Sequence, residues 1–402
     1  MARFQRARAA GEEQRTTAVE LFYDLVFVFA VTQVSHLLLH DLSWRGAGRA
    51  AVALLVVWWA WNYTTWVTNE LDPDSVVVRL LLIGIMLASL LLAIAIPRAF
   101  EDRALLFAGA YVTIQVGRHL FLTFAAAEAG TIERRRAGRI LTWFIAAGVL
   151  WIAGALAGGP ARPWLWVAAL AIDYTAPIVT YWVPFAARIP TSAWQVETAH
   201  FAERFQLFVI IALGESIVVT GATTSQLDVT PARAAAFAVA FLTTAALWWL
   251  YFSYVAQIAQ RRLELAARRV EMARDAYTYL HVVLVAGVIV AAVGDELAIA
   301  HPTSVLHTAE IATVAAGPGI YLLGLAVFRR RVAGTFAPKR VAGAAGCVAA
   351  GALGLVVPAL ALTSLVLAVV VAVIVSEHIA AVRRTARGEP SPLERLEAAE
   401  TS

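Results

Sequence analysis

The sequence predicts an all-α, polytopic membrane protein, and three observations carry that prediction. Sixty per cent of its 402 residues are hydrophobic, only 15% are charged, and the mean hydropathy is +0.72. The apolar residues fall into blocks of roughly 20, the length of helix that crosses a bilayer. Arginine collects in alternate loops between those blocks, as the positive-inside rule requires. The net charge of +4 and the pI of about 9.4 therefore read as topology signals, and no nucleic-acid partner is expected.

Taken in order, about twelve helices are expected, arranged as two parallel six-helix repeats. The first half, 19–190, holds blocks at 19–39, 47–69, 77–97, 103–125, 138–157 and 163–185. The second half, 191–387, holds blocks at 203–221, 232–256, 276–300, 308–328, 340–358 and 360–381. Residues 1–18 form a basic N-terminal segment, expected to be cytoplasmic. The run after it contains Asp24 and no small-residue cleavage pattern, so an uncleaved first helix is expected. Residues 388–402 form a polar cytoplasmic tail that is expected to be disordered. Arg134, Arg135, Arg136 and Arg139, the Arg261 to Arg274 cluster, Arg329 to Arg331 and Arg383 to Arg387 would share one side, which places both termini in the cytoplasm.

The repeat rests on a shift of 182 residues, which lays YDLVFVFAVTQ from Tyr23 onto FQLFVIIALGE from Phe205. Six is an even number, so the halves share one orientation, as in parallel-repeat transporters. Chance resemblance between apolar helices is the competing account. The charged stretch 260–275, QRRLELAARRVEMARD, is either an interfacial helix or a solvated extension of the eighth block.

Polar residues inside such blocks are costly and call for a role. Glu20 and Asp24 lie four residues apart on one face of the first helix, with Gln33 farther along. The repeat sets Gln206 against Asp24 and Glu215 against Gln33, so each half holds one amide and one carboxylate at matched depths. Glu215 follows Gly214, which lets a neighbouring backbone approach. Glu203 and Arg204 open the same helix at the interface, either as functional charges or as snorkelling anchors. Gln115, Arg118 and His119 make a polar stripe on the fourth helix. Arg118 lies at the depth of Asp24, so an Asp24 to Arg118 ion pair is expected, either as part of a mechanism or as a lock between helices. Asp173 precedes Pro177 by four residues, and proline removes the amide that would bond the carbonyl of residue 173. The backbone should therefore distort at the acid, either to hold a cation or as a simple kink.

Cys347 is the only cysteine, so neither an intramolecular disulfide nor a cysteine zinc site is available. No phosphate-binding glycine loop, HExxH or nucleophile elbow is present, so no metal, cofactor or catalytic residue is assigned.

The runs ELFYDLVFVFAVTQVSH and HFAERFQLFVIIALGESIV, with WWAWNYTTW and AIDYTAP, resemble the bacterial low temperature requirement protein A family. The likeness extends over most of the chain, although the family commonly has glycine at the position of Gln206. The resemblance implies an integral protein of the bacterial cytoplasmic membrane, named for a cold-growth phenotype, and implies no molecular activity. From the residues, the expected function is a secondary transporter or permease coupled to protons or cations. Asp24, Asp173, Glu215, Gln33 and Gln206 are the coupling candidates, and Asp24, Arg118 and His119 the charge-pair candidates. The partners are the lipid bilayer and a small solute or ion. A non-transporting sensor or scaffold in cold adaptation, and a lipid-acting membrane enzyme, stand as alternatives.

Overall fold

The computed structural model describes residues 4, 16–194, 196–253 and 255–401. Most of the expected N-terminal segment, and Gln195 at the expected join of the two halves, lie outside them. The described chain is helical, with no strand. Its helices are α1 (Ala18–His40), α2 (Trp44–Thr68), α3 (Val76–Ala95), α4 (Ala104–Phe121), α5 (Ile132–Ala157), α6 (Ala161–Thr175) and α7 (Thr198–Ser225). The remainder are α8 (Pro231–Phe252), α9 (Ala256–Glu264), α10 (Arg269–Met272), α11 (His281–Ala300), α12 (Thr308–Ala333), α13 (Pro338–Leu353), α14 (Ala359–Ala386) and α15 (Pro392–Thr401).

Ten of the described helical segments are long and apolar enough to cross a membrane. A helix occupies each of the twelve expected blocks, but α6 has 15 residues and α13 has 16. At 1.5 Å per residue they reach only about 22 to 24 Å, short of a hydrocarbon core of about 30 Å. The causes are local. Pro177 ends α6, and α13 is confined between Pro338 and Gly354.

By their contacts the residues divide into two compact units, Met1–Leu37 with Arg45–Arg204, and Leu38–Trp44 with Phe205–Ser402. In unit 1, the chain beyond Thr175 completes its path without further α-helix until α7. Trp166 Nε1 donates to the Trp151 carbonyl at 3.0 Å, and Trp143 Nε1 donates to the Trp182 carbonyl at 3.2 Å. Arg139 then donates to the Ala187 carbonyl at 2.5 Å, and Arg136 to the Ala193 carbonyl. These contacts step down α5 as the chain steps up from 166 to 193, so the whole 161–193 stretch runs antiparallel to α5. Irregular backbone at membrane depth survives only where protein satisfies its polar groups, and here α5 side chains do so. Thr180, Tyr181 and Phe185 take φ values of 54°, 53° and 62°, a region that non-glycine residues rarely enter.

In unit 2 the closest packing joins α11 to α12. A Cβ added to Gly317 would lie 2.3 Å from the Ala291 nitrogen, and one added to Gly287 would lie 2.7 Å from the Tyr321 nitrogen. Glycine at these positions lets the two backbones meet. The 260–275 stretch is broken into α9 and α10. Ala259 and Leu263 are buried, and Arg262 Nη1 donates to the Val332 carbonyl at 3.4 Å, so α9 packs onto the end of α12. The tail also departs from the expected disorder, because α15 occupies it. Ser391 and Glu394 form a reciprocal capping box, with Ser391 N to Glu394 Oε2 at 2.6 Å and Glu394 N to Ser391 Oγ at 3.2 Å. Pro392 stands at the first helical position.

Candidate functional site

The interior of unit 1 holds a chain of buried charged and polar side chains. Its first part joins the opening turns of α1 and α7. Arg204 Nη2 donates to Asp24 Oδ1 at 2.7 Å, and Trp61 Nε1 donates to the same oxygen at 2.8 Å. One turn away, His200 Nε2 lies 3.0 Å from Glu20 Oε1 and 3.2 Å from Oε2. Both contacts span 180 residues. Two acids at an i,i+4 spacing on α1 therefore meet two bases at the same spacing on a parallel neighbour.

Asn69 fixes the tautomer of His200. Its Oδ1 accepts from the Glu197 N–H at 2.8 Å, so Nδ2 must be the donor that faces His200 Nδ1 at 3.1 Å. Nδ1 is then an acceptor, and the ring proton on Nε2 points at Glu20. Glu20 also accepts from the Thr17 amide and hydroxyl, both at 2.9 Å. His200 and Arg204 are fully buried, and Glu20 and Asp24 are 1% exposed. Asp24 Oδ2 and the Nε and Nη1 of Arg204 are buried without a hydrogen-bond partner among the described residues.

A second cluster surrounds Asp173. Tyr111 donates to Asp173 Oδ2 at 2.9 Å and Trp151 Nε1 to the same oxygen at 3.2 Å. Gln115 Nε2 donates to the Tyr111 hydroxyl at 3.1 Å, and Gln115 Oε1 accepts from Arg118. Arg118 Nη1 donates to Thr64 Oγ1 at 2.8 Å and to the Ala60 carbonyl at 3.3 Å, and the Tyr23 hydroxyl meets that same carbonyl at 3.3 Å. The two clusters thus adjoin at Ala60–Trp61 and Tyr23–Asp24. From Tyr111 to Arg118 on α4, and from Ala60 to Asn69 at the end of α2, the polar chain covers about 24 Å of helix rise. It is a spine along much of the thickness of unit 1.

The expected Asp24 to Arg118 pair does not form. Depth along the helices was matched, but Arg118 points at α2, over the Tyr63 ring at 5.5 Å, while Asp24 is taken by Arg204. His119 turns its Nδ1 to the Gln115 carbonyl at 2.9 Å and packs against Phe144. Arg204, expected at the interface, is a core residue. Asp173 sits two residues before the last residue of α6, whose end Pro177 sets. Gln33 is half-buried without a hydrogen bond among the described residues, so it stands apart from the spine. In unit 2, Gln206 Nε2 donates to Gln260 Oε1 at 3.4 Å, and Glu215 is fully buried. Glu20 takes the place beside Asp24 that its spacing marked, while His200, Trp61 and Asn69 join the site unforeseen. The signal for His200 was present: His200 and Arg204 repeat the spacing of Glu20 and Asp24.

A multi-pass bundle of apolar helices with charged groups sealed in its interior defines the class: a polytopic helical membrane protein. The chain matches the bacterial low temperature requirement A protein (LtrA) over residues 15–375 and belongs to that family. It is 37% identical over 327 residues to an uncharacterized protein, RA0937, of Rhizobium meliloti (strain 1021), covering 81% of this chain and 80% of the relative. No solved structure matches it.

Proposed function

We propose that this LtrA-family protein is a secondary transporter, coupling movement of a small solute or ion to protons or cations across the bacterial cytoplasmic membrane. The observation that supports this most is the Asp24–Arg204 pair, sealed inside unit 1 and continued by His200, Glu20 and Asn69 to the end of α2. A buried ion pair is a poor source of stability, since its desolvation cost offsets its attraction, and one that persists in a membrane interior calls for another role. A proton taken up at Asp24 discharges the pair and leaves Arg204 uncompensated, which favours a rearrangement of α7 against α1. His200, with its single proton on Nε2, donates it as a hydrogen bond to Glu20 one turn away and holds that carboxylate in place beside the pair. Asp173 serves the far end of the spine, and Glu215 is the corresponding acid of unit 2, with Gln33 and Gln206 as polar lining. In this proposal the two halves are parallel repeats, and α6 with its non-helical continuation completes a sixth crossing, so that both termini are cytoplasmic.

The test uses the full chain in proteoliposomes with an entrapped pH dye and inward gradients from a panel of small solutes and ions. A solute-driven pH change that is lost in Asp24→Asn and in Asp173→Asn supports the proposal. Correctly folded Asp24→Asn and Asp173→Asn proteins that carry the wild-type flux overturn it, as does a wild-type protein inert to the whole panel.

A further inference from the structure

Unit 2 carries a second charged site, built from residues that the spine does not use. The side of α9, the last turns of α12 and α14 and the first turns of α13 and α15 enclose a groove of about 820 Å³. Six basic side chains line it: Arg262, Arg329, Lys339, Arg340, Arg384 and Arg395. Its one carboxylate, Glu377, is already engaged by Arg340, with Nε to Oε1 at 2.9 Å and Nη2 to Oε2 at 3.0 Å. Arg340 is 2% exposed, and its remaining nitrogen, Nη1, is buried without a partner.

The other five cations have no carboxylate partner among the described residues. Arg329 Nε donates to Thr335 Oγ1 at 3.1 Å, Lys339 Nζ to the Ser376 carbonyl at 2.5 Å, and Arg395 Nε to the Pro390 carbonyl at 3.0 Å. Neutral acceptors orient these groups without cancelling their charge, so the groove concentrates positive potential that only an anion balances. Beside Thr335, Thr385 and Ser391, the rest of its wall is apolar and includes Ile258, Phe328, Val332 and Phe336. Phe336 in that wall is 58% exposed. A cationic cleft with an exposed aromatic side chain in its wall, at the ends of two membrane-length helices, combines the two features of a lipid: a phosphate headgroup and its chains.

We infer that this groove binds the phosphate headgroup of an anionic phospholipid, held by Arg262, Arg340 and Arg384 and closed over by Arg395 of α15, with the acyl chains against Phe336. The occupant is a lipid rather than free phosphate because an exposed aromatic side chain stands in the same groove as the cations.

Native mass spectrometry and thermal shift on the full chain in neutral detergent test this, with phosphatidylglycerol, phosphatidylcholine and inorganic phosphate as probes. Wild-type protein retains phosphatidylglycerol over phosphatidylcholine, and millimolar inorganic phosphate does not displace it. Arg262→Gln/Arg384→Gln removes two cations and weakens retention about thirtyfold. Arg395→Glu, on an exposed turn where folding of the bundle is not at stake, weakens it by a similar factor. Arg134→Gln/Arg135→Gln, in unit 1, leaves it unchanged. Equal retention of the two lipids, displacement by inorganic phosphate, unaltered binding by Arg395→Glu, or equal weakening by the unit 1 variant overturns the inference.

Discussion

Replacing Asp24 by Asn keeps the shape of the side chain and removes one charge from the centre of unit 1. The Asp24 carboxylate accepts from Arg204 at 2.7 Å and from Trp61 at 2.8 Å, both on Oδ1. In Asp24→Asn the guanidinium, fully buried, loses its 2.7 Å counterion while two of its nitrogens already lack a partner. Breaking a buried pair by removing one member costs about 3 to 5 kcal/mol, whereas removing both is far milder. At about 2 °C per kcal/mol, the scale for larger domains, Asp24→Asn and Arg204→Gln should each lower the melting temperature by roughly 6 to 10 °C. The double variant should recover at least half of the summed loss. Fluorescence-detected thermal unfolding in detergent reads all four proteins of the cycle. The companion cycle with Arg118→Gln should be additive, because Arg118 is bound to Thr64, Gln115 and the Ala60 carbonyl. Additivity between Asp24 and Arg204, or coupling between Asp24 and Arg118, would refute the reasoning.

Three further outcomes are expected. Gly317→Ala drives a methyl group to 2.3 Å from the Ala291 nitrogen and should destabilise unit 2 by about 1 to 3 kcal/mol or more, whereas Gly84→Ala, with open space around it, should be neutral or gain up to about 1 kcal/mol; equal melting temperatures would contradict the α11–α12 contact. Arg136→Gln removes the donor to the Ala193 carbonyl and the partner of Glu70, so amide hydrogen exchange should rise across 182–194 and stay unchanged in α3; protection equal to wild type would mean that Arg136 does not hold the segment. With Cys347→Ala as background, a cysteine at Arg135 should be shielded from an impermeant thiol reagent in intact cells, and labelling there would reverse the proposed orientation.

Much of the fold was written in local chemistry. Apolar block length placed the helices, and Pro177 marked a disturbance next to Asp173, although the block was expected to stay helical to 185 and α6 stops at Thr175. Burial of Asp24, Asp173 and Glu215 was implied by the lengths of the runs around them. What escaped was azimuth. Asp24 and Arg118 were matched by depth, but depth along a helix does not say which neighbour a side chain faces, and Arg118 faces α2. Arg204 looked like an interface residue because it stands near the start of an apolar run. Yet α7 begins at Thr198, which puts Arg204 in its second turn, under cover. The α15 capping box was also in plain view, as Ser391 and Glu394 around Pro392, but a polar composition masked it.

The antiparallel run of 161–193 along α5 bears on how the chain enters the membrane. A helix of 15 residues continued by unsatisfied carbonyls is a poor substrate for lateral release from the insertion machinery, because each exposed backbone group in lipid costs several kcal/mol. The donors that satisfy those carbonyls, Arg136, Arg139 and Trp143, are all synthesised earlier, on α5. The stretch therefore has to wait for α5 and leave with it as a hairpin. A nascent chain in which Arg136, Arg139 and Trp143 are replaced by leucine should strand 176–193 outside the bilayer, where an engineered glycosylation acceptor would report it. Birth order, and not only final geometry, is thus encoded in the side chains of α5.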